Sequence, residues 1–353
     1  MKKLILVIFT IIMLLIVGNV LEPNTYKDLY SDTTEIAYQE GAFQEKATED
    51  MPLLSEGLQL IGSSAILIDA DSGDILYEKN ADQKAYPAST TKILTALVAL
   101  EEMGLKDTIK VGEEVNKVRL HSSKAGIDYG ETLTVETLIK GLMIPSGNDA
   151  AYVLARHIGK KHGSHQDVNT SIKAFTKLMN EYGKARGLTS SAFNNPDGYH
   201  HENHYSTAKD LALITKAALS YPEFREICGT PYFKMKDFKQ YNEHDATMRY
   251  WENTNKLLVK HSPYYYEHAI GIKTGYTKEA GYCLVSAASC NNKTVIAVVL
   301  NSSEWGRFED SIQLLNMGLG LNIKVQENKQ EVKVEPMNRK SRRYVMCKHH
   351  IVK

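Results

Sequence analysis

The chain predicts a mixed α+β fold: one antiparallel sheet drawn from both ends of the folded region, with helices packed on it. Three observations carry this. Segments of strand composition lie at residues 64–79 and again at 271–300. Between them, apolar residues recur at helical spacing in several blocks. Strands at both ends with helices between them form a single sheet most simply when the first and last strands pair.

The elements follow in order. Ala65–Asp69, then Ala70-Asp71-Ser72-Gly73, then Asp74–Lys79 reads as strand, turn, strand. Ile93, Leu94, Leu97, Val98 and Leu100 share a helical face, so a helix opens near Ser89. Pro87 marks the approach to its first turn. Leu133–Leu142 is apolar at helical spacing and leads into a loop, Ile144–Asp149, set by Pro145 and Gly147. A helix resumes at Ala150–Ile158, which leaves Ser146 and Asn148 in the loop, free to face a cleft. Ile172–Arg186 is a further amphipathic helix, Asn194–Gly198 a turn cluster, and Thr207–Leu219 a helix with Ser206 or Thr207 near its cap. Gly271–Gly275, Gly281–Ala288 and Thr294–Leu300 read as strands, and Arg307–Leu319 as a closing helix.

The 353 residues, 43% of them hydrophobic, suffice for one large domain plus appendages. Lys+Arg and Asp+Glu are both 42, so nothing in the charge balance points to nucleic acid. Met1-Lys2-Lys3 and the apolar run Leu4–Val17 form an export signal. A small-x-small cleavage site is missing, so residues 1–21 read as a signal peptide or an N-terminal membrane anchor. Either places the body outside the cytoplasm. Residues 22–58 read as a polar spacer, 59–323 as the folded domain, and 324–353 as a short basic tail. From Met337 that tail has six Lys/Arg and no acid; a solvated end is the favoured reading, weak attraction to anionic lipid or cell-wall polymer the sharper alternative. The four cysteines, Cys228, Cys283, Cys290 and Cys347, have neither zinc-site nor dense-disulfide spacing. Cys283 and Cys290 fall on segments read as neighbouring strands, so a bridge is possible, with buried free thiols the favoured reading.

Ser89 and Lys92 are three residues apart, a spacing that puts both on one helix face. A hydroxyl at a helix N-terminus feels the positive end of the dipole, and an apolar helix beneath keeps water from the lysine. Those are the conditions for a serine nucleophile activated by lysine. Ser-x-x-Lys alone is a weak signal, because serine is also a favoured N-cap. Its company strengthens it. Ser146-Gly147-Asn148 and Lys273-Thr274-Gly275 follow in the order that marks penicillin-binding proteins and class A β-lactamases.

From about Ser64 to about Leu319 the chain resembles the serine-type D-alanyl-D-alanine carboxypeptidases, the low-molecular-mass penicillin-binding proteins, and among them those of spore-forming Gram-positive bacteria. The resemblance rests on Pro87-Ala88-Ser89-Thr90-Thr91-Lys92, Ser146–Ala151, His204–Ala208, Asn253–Leu258, Gly271–Tyr276 and Arg307–Asp310, in family order. It implies a β-lactamase/transpeptidase-like fold, an antiparallel sheet flanked by helices with a helical subdomain. It implies removal of the C-terminal D-alanine from peptidoglycan stem peptides through an acyl-enzyme on Ser89, which β-lactams would also acylate. Lys92 would take the Ser89 proton, made neutral by burial and by a second cation, for which Lys273 is the natural candidate. Ser146 would relay the proton to the leaving amine, and Asn148 would hydrogen-bond the substrate amide. The N–H groups of Ser89 and Tyr276 would hold the oxyanion. Lys273 and Thr274 would bind the substrate carboxylate, and Gly275 would admit the substrate backbone. Arg307 matches a family arginine near the cleft, with a structural salt bridge the equal alternative. No metal and no cofactor is called for. The protein would be exported and associated with membrane or wall. Only about thirty residues follow the closing helix, too few for the β-rich C-terminal domain of many members, so membrane attachment would fall to Leu4–Leu21.

Two other functions compete. A class A β-lactamase needs a glutamate for the deacylating water, in a Glu-x-x-Leu-Asn segment; none lies between Asn148 and Lys273. A non-catalytic β-lactam sensor or wall-binding protein sits poorly with an intact set of reactive residues. His200, His201 and His204 lack metal-ligand spacing, and His204 matches a structural position of the family. Lys160-Lys161-His162 and Tyr264–Tyr266 read as surface features, the tyrosines with the option of lining the cleft mouth.

Overall fold

The structure, a computed structural model, describes residues 58–163, 167–235 and 249–321. The N-terminal segment, most of the spacer, the basic tail and Cys347 lie outside the described residues.

Five strands make one sheet: β1 (Ser64–Asp69), β2 (Ile75–Lys79), and, after two short strand pairs, β7 (Ala269–Thr277), β8 (Gly281–Cys290) and β9 (Lys293–Ser302), in the order β2-β1-β9-β8-β7. Every pairing is antiparallel, and β1 pairs with β9 from Ser64↔Leu300 to Asp69↔Val295. The first and last strands therefore meet as the sequence predicts. Side chains alternate strictly between two cores. Ile66, Ile68, Ile296, Val298 and Leu300 face the larger one; Ala65, Leu67, Val295, Ala297 and Val299 face the smaller. A strand with both faces covered reads as a continuous apolar run, which is why these segments lack polar alternation.

Helices α1 (Lys92–Glu102), α2 (Val135–Met143), α3 (Asn148–His162), α4 (Val168–Ala185), α5 (Ala208–Leu219) and α6 (Pro222–Cys228) lie on the side of the larger core. A last helix, α7 (Gly306–Leu319), covers the other face with Phe308, Leu314 and Leu315. Capping side chains fix several starts: Thr134 accepts from the Thr137 N–H, Asp167 from Asn169 and Thr170, and Thr207 from Asp210. Gly320, at φ 67°, ends α7. In α1 every residue from Lys92 to Ala99 is buried, so this helix runs through the middle of the helical layer.

Several boundaries differ from the sequence reading. A 3-10 turn, Ala88–Thr91, precedes α1, so Ser89 sits on the tighter turn and the α-helix opens at Lys92. The segment read as a helix from Leu133 starts as strand β4 (Thr132–Thr134), paired with β3 (Thr108–Lys110). A second short pair joins β5 (Tyr232–Lys234) to β6 (Tyr250–Glu252). Three-residue strands are too short to show a period. Asn148 is not in the loop; it is the first residue of α3. Cys283 and Cys290 are not on neighbouring strands. Both lie on β8, and with Cys228 they are free thiols.

Candidate active site

Three elements converge on one cleft of about 540 Å³: the turn before α1, the turn before α3, and β7 at the edge of the sheet. Ser89, Ser146, Asn148, Thr274, Gly275, Tyr276 and Arg307 all line it. Lys92 and Lys273 lie beneath its floor, 0% and 1% exposed. The nine residues singled out in the sequence are thus brought together.

Lys92 is the centre of the arrangement. Its Nζ donates to Ser89 Oγ at 2.9 Å, to Asn148 Oδ1 at 2.7 Å and to the Asp197 carbonyl at 2.8 Å. Three acceptors match the three protons of an ammonium, so its position is fully determined. Burial nevertheless brings its pKa down to about 8, against the pull of Asp197 and Asp149. An amine poised there can exchange a proton with Ser89 near neutral pH.

Lys273 has a different environment. It donates to the neighbouring Thr274 carbonyl at 2.9 Å, and its pKa is held well below the ordinary lysine value by burial first, then by Lys92 and Arg307. Burial is the larger force on both lysines, and the repulsion between them disfavours having both charged at once. A carboxylate arriving in the cleft would reverse that and favour the Lys273 ammonium.

The backbone around Ser89 is tightly constrained. Ala88 has φ 48° and Ser146 φ 65°, the left-handed region that costs a non-glycine residue of order 1–3 kcal/mol. Gly198 (φ +80°) lies so close that a Cβ there would fall 1.8 Å from the Ala88 carbonyl oxygen. On the other side, a Cβ on Gly275 would fall 2.9 Å from the Pro87 oxygen and 3.1 Å from the Ser89 nitrogen. The turn that carries Ser89 is held between these two glycines. As an edge strand, β7 also leaves one rim of its backbone without a strand partner.

Several contributors carry no signal in the three motifs. Asp197 supplies the carbonyl that holds Lys92, and its buried carboxyl is raised in pKa by burial, with Lys92 opposing. Thr254 Oγ1 pairs with Thr274 Oγ1 at 2.6 Å. The Asp149 carboxylate accepts from the N–H groups of Ala125, Gly126 and Ile127 at 2.8–3.0 Å. It thereby anchors the loop whose His121, Ser122 and Ser123 form one rim of the cleft.

The remaining residues fall into place. Arg307 donates to the Gly275 carbonyl at 3.4 Å and lies over the rings of Tyr282 and Phe308, so its partners here are a carbonyl and two rings. His204 is buried. Its Nδ1 accepts from the Asn194 N–H, so its Nε2 donates to Thr91 Oγ1. Burial, with His201 and His200 adding, takes its pKa down to about 3, and the ring is neutral at pH 7. Tyr264 and Tyr266 do not line the cleft; they pack on α7, with Tyr264 stacked on Phe308 and the Tyr266 hydroxyl donating to Asn316.

The family model of the D-alanyl-D-alanine carboxypeptidases matches residues 48–304. The chain belongs to that family. It is 36% identical over 245 residues to the D-alanyl-D-alanine carboxypeptidase DacF of Bacillus subtilis, covering 68% of this chain and 57% of that protein. It is 37% identical over 255 residues to a D-alanyl-D-alanine carboxypeptidase of a Streptomyces species, covering 71% and 84%. The crystal structure of a Streptomyces DD-transpeptidase superposes with a TM-score of 0.67 at 34% identity, over 75% of this chain and 99% of that one. The penicillin-binding fold expected from the carboxypeptidase resemblance is thus the fold observed.

Proposed function

We propose that the chain is a serine D-alanyl-D-alanine carboxypeptidase that removes the terminal D-alanine from peptidoglycan stem peptides. The observation that carries this is the buried Lys92 amine, 2.9 Å from Ser89 Oγ and lowered to about pH 8.

In the neutral amine that contact reverses, and Lys92 accepts the hydroxyl proton as Oγ attacks the carbonyl of the penultimate D-alanine. The C–N bond breaks, the proton passes through Ser146 to the departing D-alanine amine, and an ester remains on Ser89. Water then attacks the ester and releases the shortened peptide. The Ser89 and Tyr276 N–H groups hold the oxyanion. Lys273, Thr274 and Arg307 hold the terminal carboxylate. The Asn148 amide, its oxygen occupied by Lys92, has its N–H donors left for the substrate. A peptide laid along the free rim of β7 extends the sheet by one strand. β-Lactams acylate the same serine, and the substrate places the domain outside the cytoplasm. Residues 1–21 would direct that export and, if uncleaved, hold residues 59–323 at the membrane through the 22–58 spacer.

The test is release of D-alanine from a synthetic stem peptide ending in D-Ala-D-Ala, paired with covalent labelling by a fluorescent penicillin. Wild type should do both and Ser89→Ala neither. Labelling that persists in Ser89→Ala would move the nucleophile elsewhere.

A further inference from the structure

Beside the cleft, on the flank that carries the start of α7, lie two hollows of about 430 and 310 Å³ that share His261. Tyr232, Tyr265 and Tyr266 line the larger, and Tyr264 and Trp305 the smaller. Tyr250 stacks on Tyr232 at 5.8 Å and 18°, and Tyr232 on His261 at 6.5 Å and 17°. Past His261, Trp305 stacks on Tyr264 at 5.8 Å and 8°. Tyr264 and Tyr266 pack partly against the smaller core, and the outer rings are open to solvent. Trp305 is 51% exposed, and Tyr250 and Tyr265 are exposed as well. Lys256, Lys260, Ser262 and Glu267 stand among them as donors and acceptors.

We infer that this strip binds the glycan portion of a peptide-bearing polysaccharide, as a run of N-acetylated pyranose rings. A pyranose presents a flat face of C–H bonds and a rim of hydroxyls and amides. It fits an exposed aromatic ring such as Trp305 beside polar side chains, where tyrosine and tryptophan combine apolar area with a wet edge. Two hollows that share a wall at His261 suit a chain of rings better than a single small ligand. The strip also adjoins the cleft along the chain. Thr254 and Arg307 line the cleft, while Lys256 and Trp305, two residues away on the same segments, line the second hollow. Two residues span at most about 7 Å. A polymer whose peptide enters the cleft therefore has its sugars within reach of the strip, and the second contact raises affinity for polymer over free peptide. The inference rests on the reading of the cleft as a stem-peptide site.

The experiment separates the two. Trp251 and Trp305 are the two tryptophans, and Trp251 is only 3% exposed, so a ligand on the strip reports through Trp305 emission. Titration of the full chain with an oligomer of β-1,4-linked N-acetylglucosamine should give a saturable emission change, with the same affinity by calorimetry. Trp305→Ala and, separately, His261→Ala should weaken that affinity by about tenfold. Both should leave hydrolysis of a sugar-free D-Ala-D-Ala peptide within about twofold of wild type, while KM on glycan-linked stem peptides rises. No saturable binding to wild type, or two folded variants that bind as wild type does, overturns the inference. So does a dimer of wild type that Trp305→Ala dissolves without any oligomer binding, because the strip would then be a protein interface. Oligomer binding without hydrolysis of the sugar-free peptide would retain the glycan site and refute the carboxypeptidase reading.

Discussion

The two walls of the cleft each hold a buried lysine, and the two lysines are solved in opposite ways. On the helix wall, Lys92 is saturated by three oxygens contributed from three separate parts of the chain. On the strand wall, Lys273 has the Thr274 carbonyl beside it and two cations facing it. The first is complete before substrate arrives; the second is short of an anion. Fixed position suits the proton carrier that the proposed mechanism makes of Lys92, and an unmet demand for negative charge suits the carboxylate site that it makes of Lys273. One side chain type would serve both because the acceptors around it differ.

The sharpest way to break that contrast is Lys92→Arg, which keeps the charge and cannot lose its proton. Penicillin acylation should fall by about 10²–10⁴-fold, with the fold verified by thermal unfolding. In wild type the sign of the pH dependence follows from the amine being the active form. Acylation should rise about tenfold per pH unit below the Lys92 pKa and level off above about 8. A flat profile from pH 6 to 9 would deny Lys92 the role of base.

Next in size is Lys273→Ala. Loss of a charge-assisted, desolvated contact should cost about 2–3 kcal/mol of carboxylate recognition, roughly 30- to 150-fold in acylation rate at low penicillin. Repulsion between the lysines is mutual, so removing Lys273 should move the pH midpoint for acylation upward from about 8. A midpoint that stays put would leave burial alone as the force on Lys92.

Smaller effects should come from the supports of each wall. Asp149→Ala leaves four backbone N–H groups, those of Ala125, Gly126, Ile127 and Ala150, without this acceptor, for about 1–3 kcal/mol in denaturant unfolding. It should also loosen the rim at Ser122 and Ser123, slowing acylation by several-fold. Thr254→Val removes the partner of Thr274 and should raise KM for the peptide by about fivefold, an effect of about 1 kcal/mol, with unfolding nearly unchanged. If Thr254→Val matched Lys273→Ala, the hydroxyl pair and not the cation would hold the carboxylate.

What was legible in the sequence tracks how local the determinant is. Ser89 and Lys92 share a helical turn, so their spacing alone predicts their contact. The motif residues on β7 are likewise consecutive. Asp197 was not legible because it acts on Lys92 through its main-chain carbonyl, 105 residues away along the chain, and a carbonyl belongs to every residue. Thr254 is invisible for the related reason that a threonine pair across two segments has no period. The strands became clear because both their faces are buried and their apolar runs unbroken, whereas β3 to β6 offer three residues apiece. The order of influence on the Lys92 pKa needed the depth of burial, which spacing does not contain.

The two glycines that grip the nucleophile's turn set a limit on how this enzyme can change. Any side chain at 198 would meet the Ala88 carbonyl at 1.8 Å, and one at 275 would crowd Pro87 and Ser89. Both positions line the cleft, yet each has effectively one permitted residue. A population under β-lactam pressure therefore cannot narrow the pocket from these two sides without dislodging Ser89. Its open mutational paths run instead through the far rim, at His121 to Ser123, and through the tyrosines at 276 and 282.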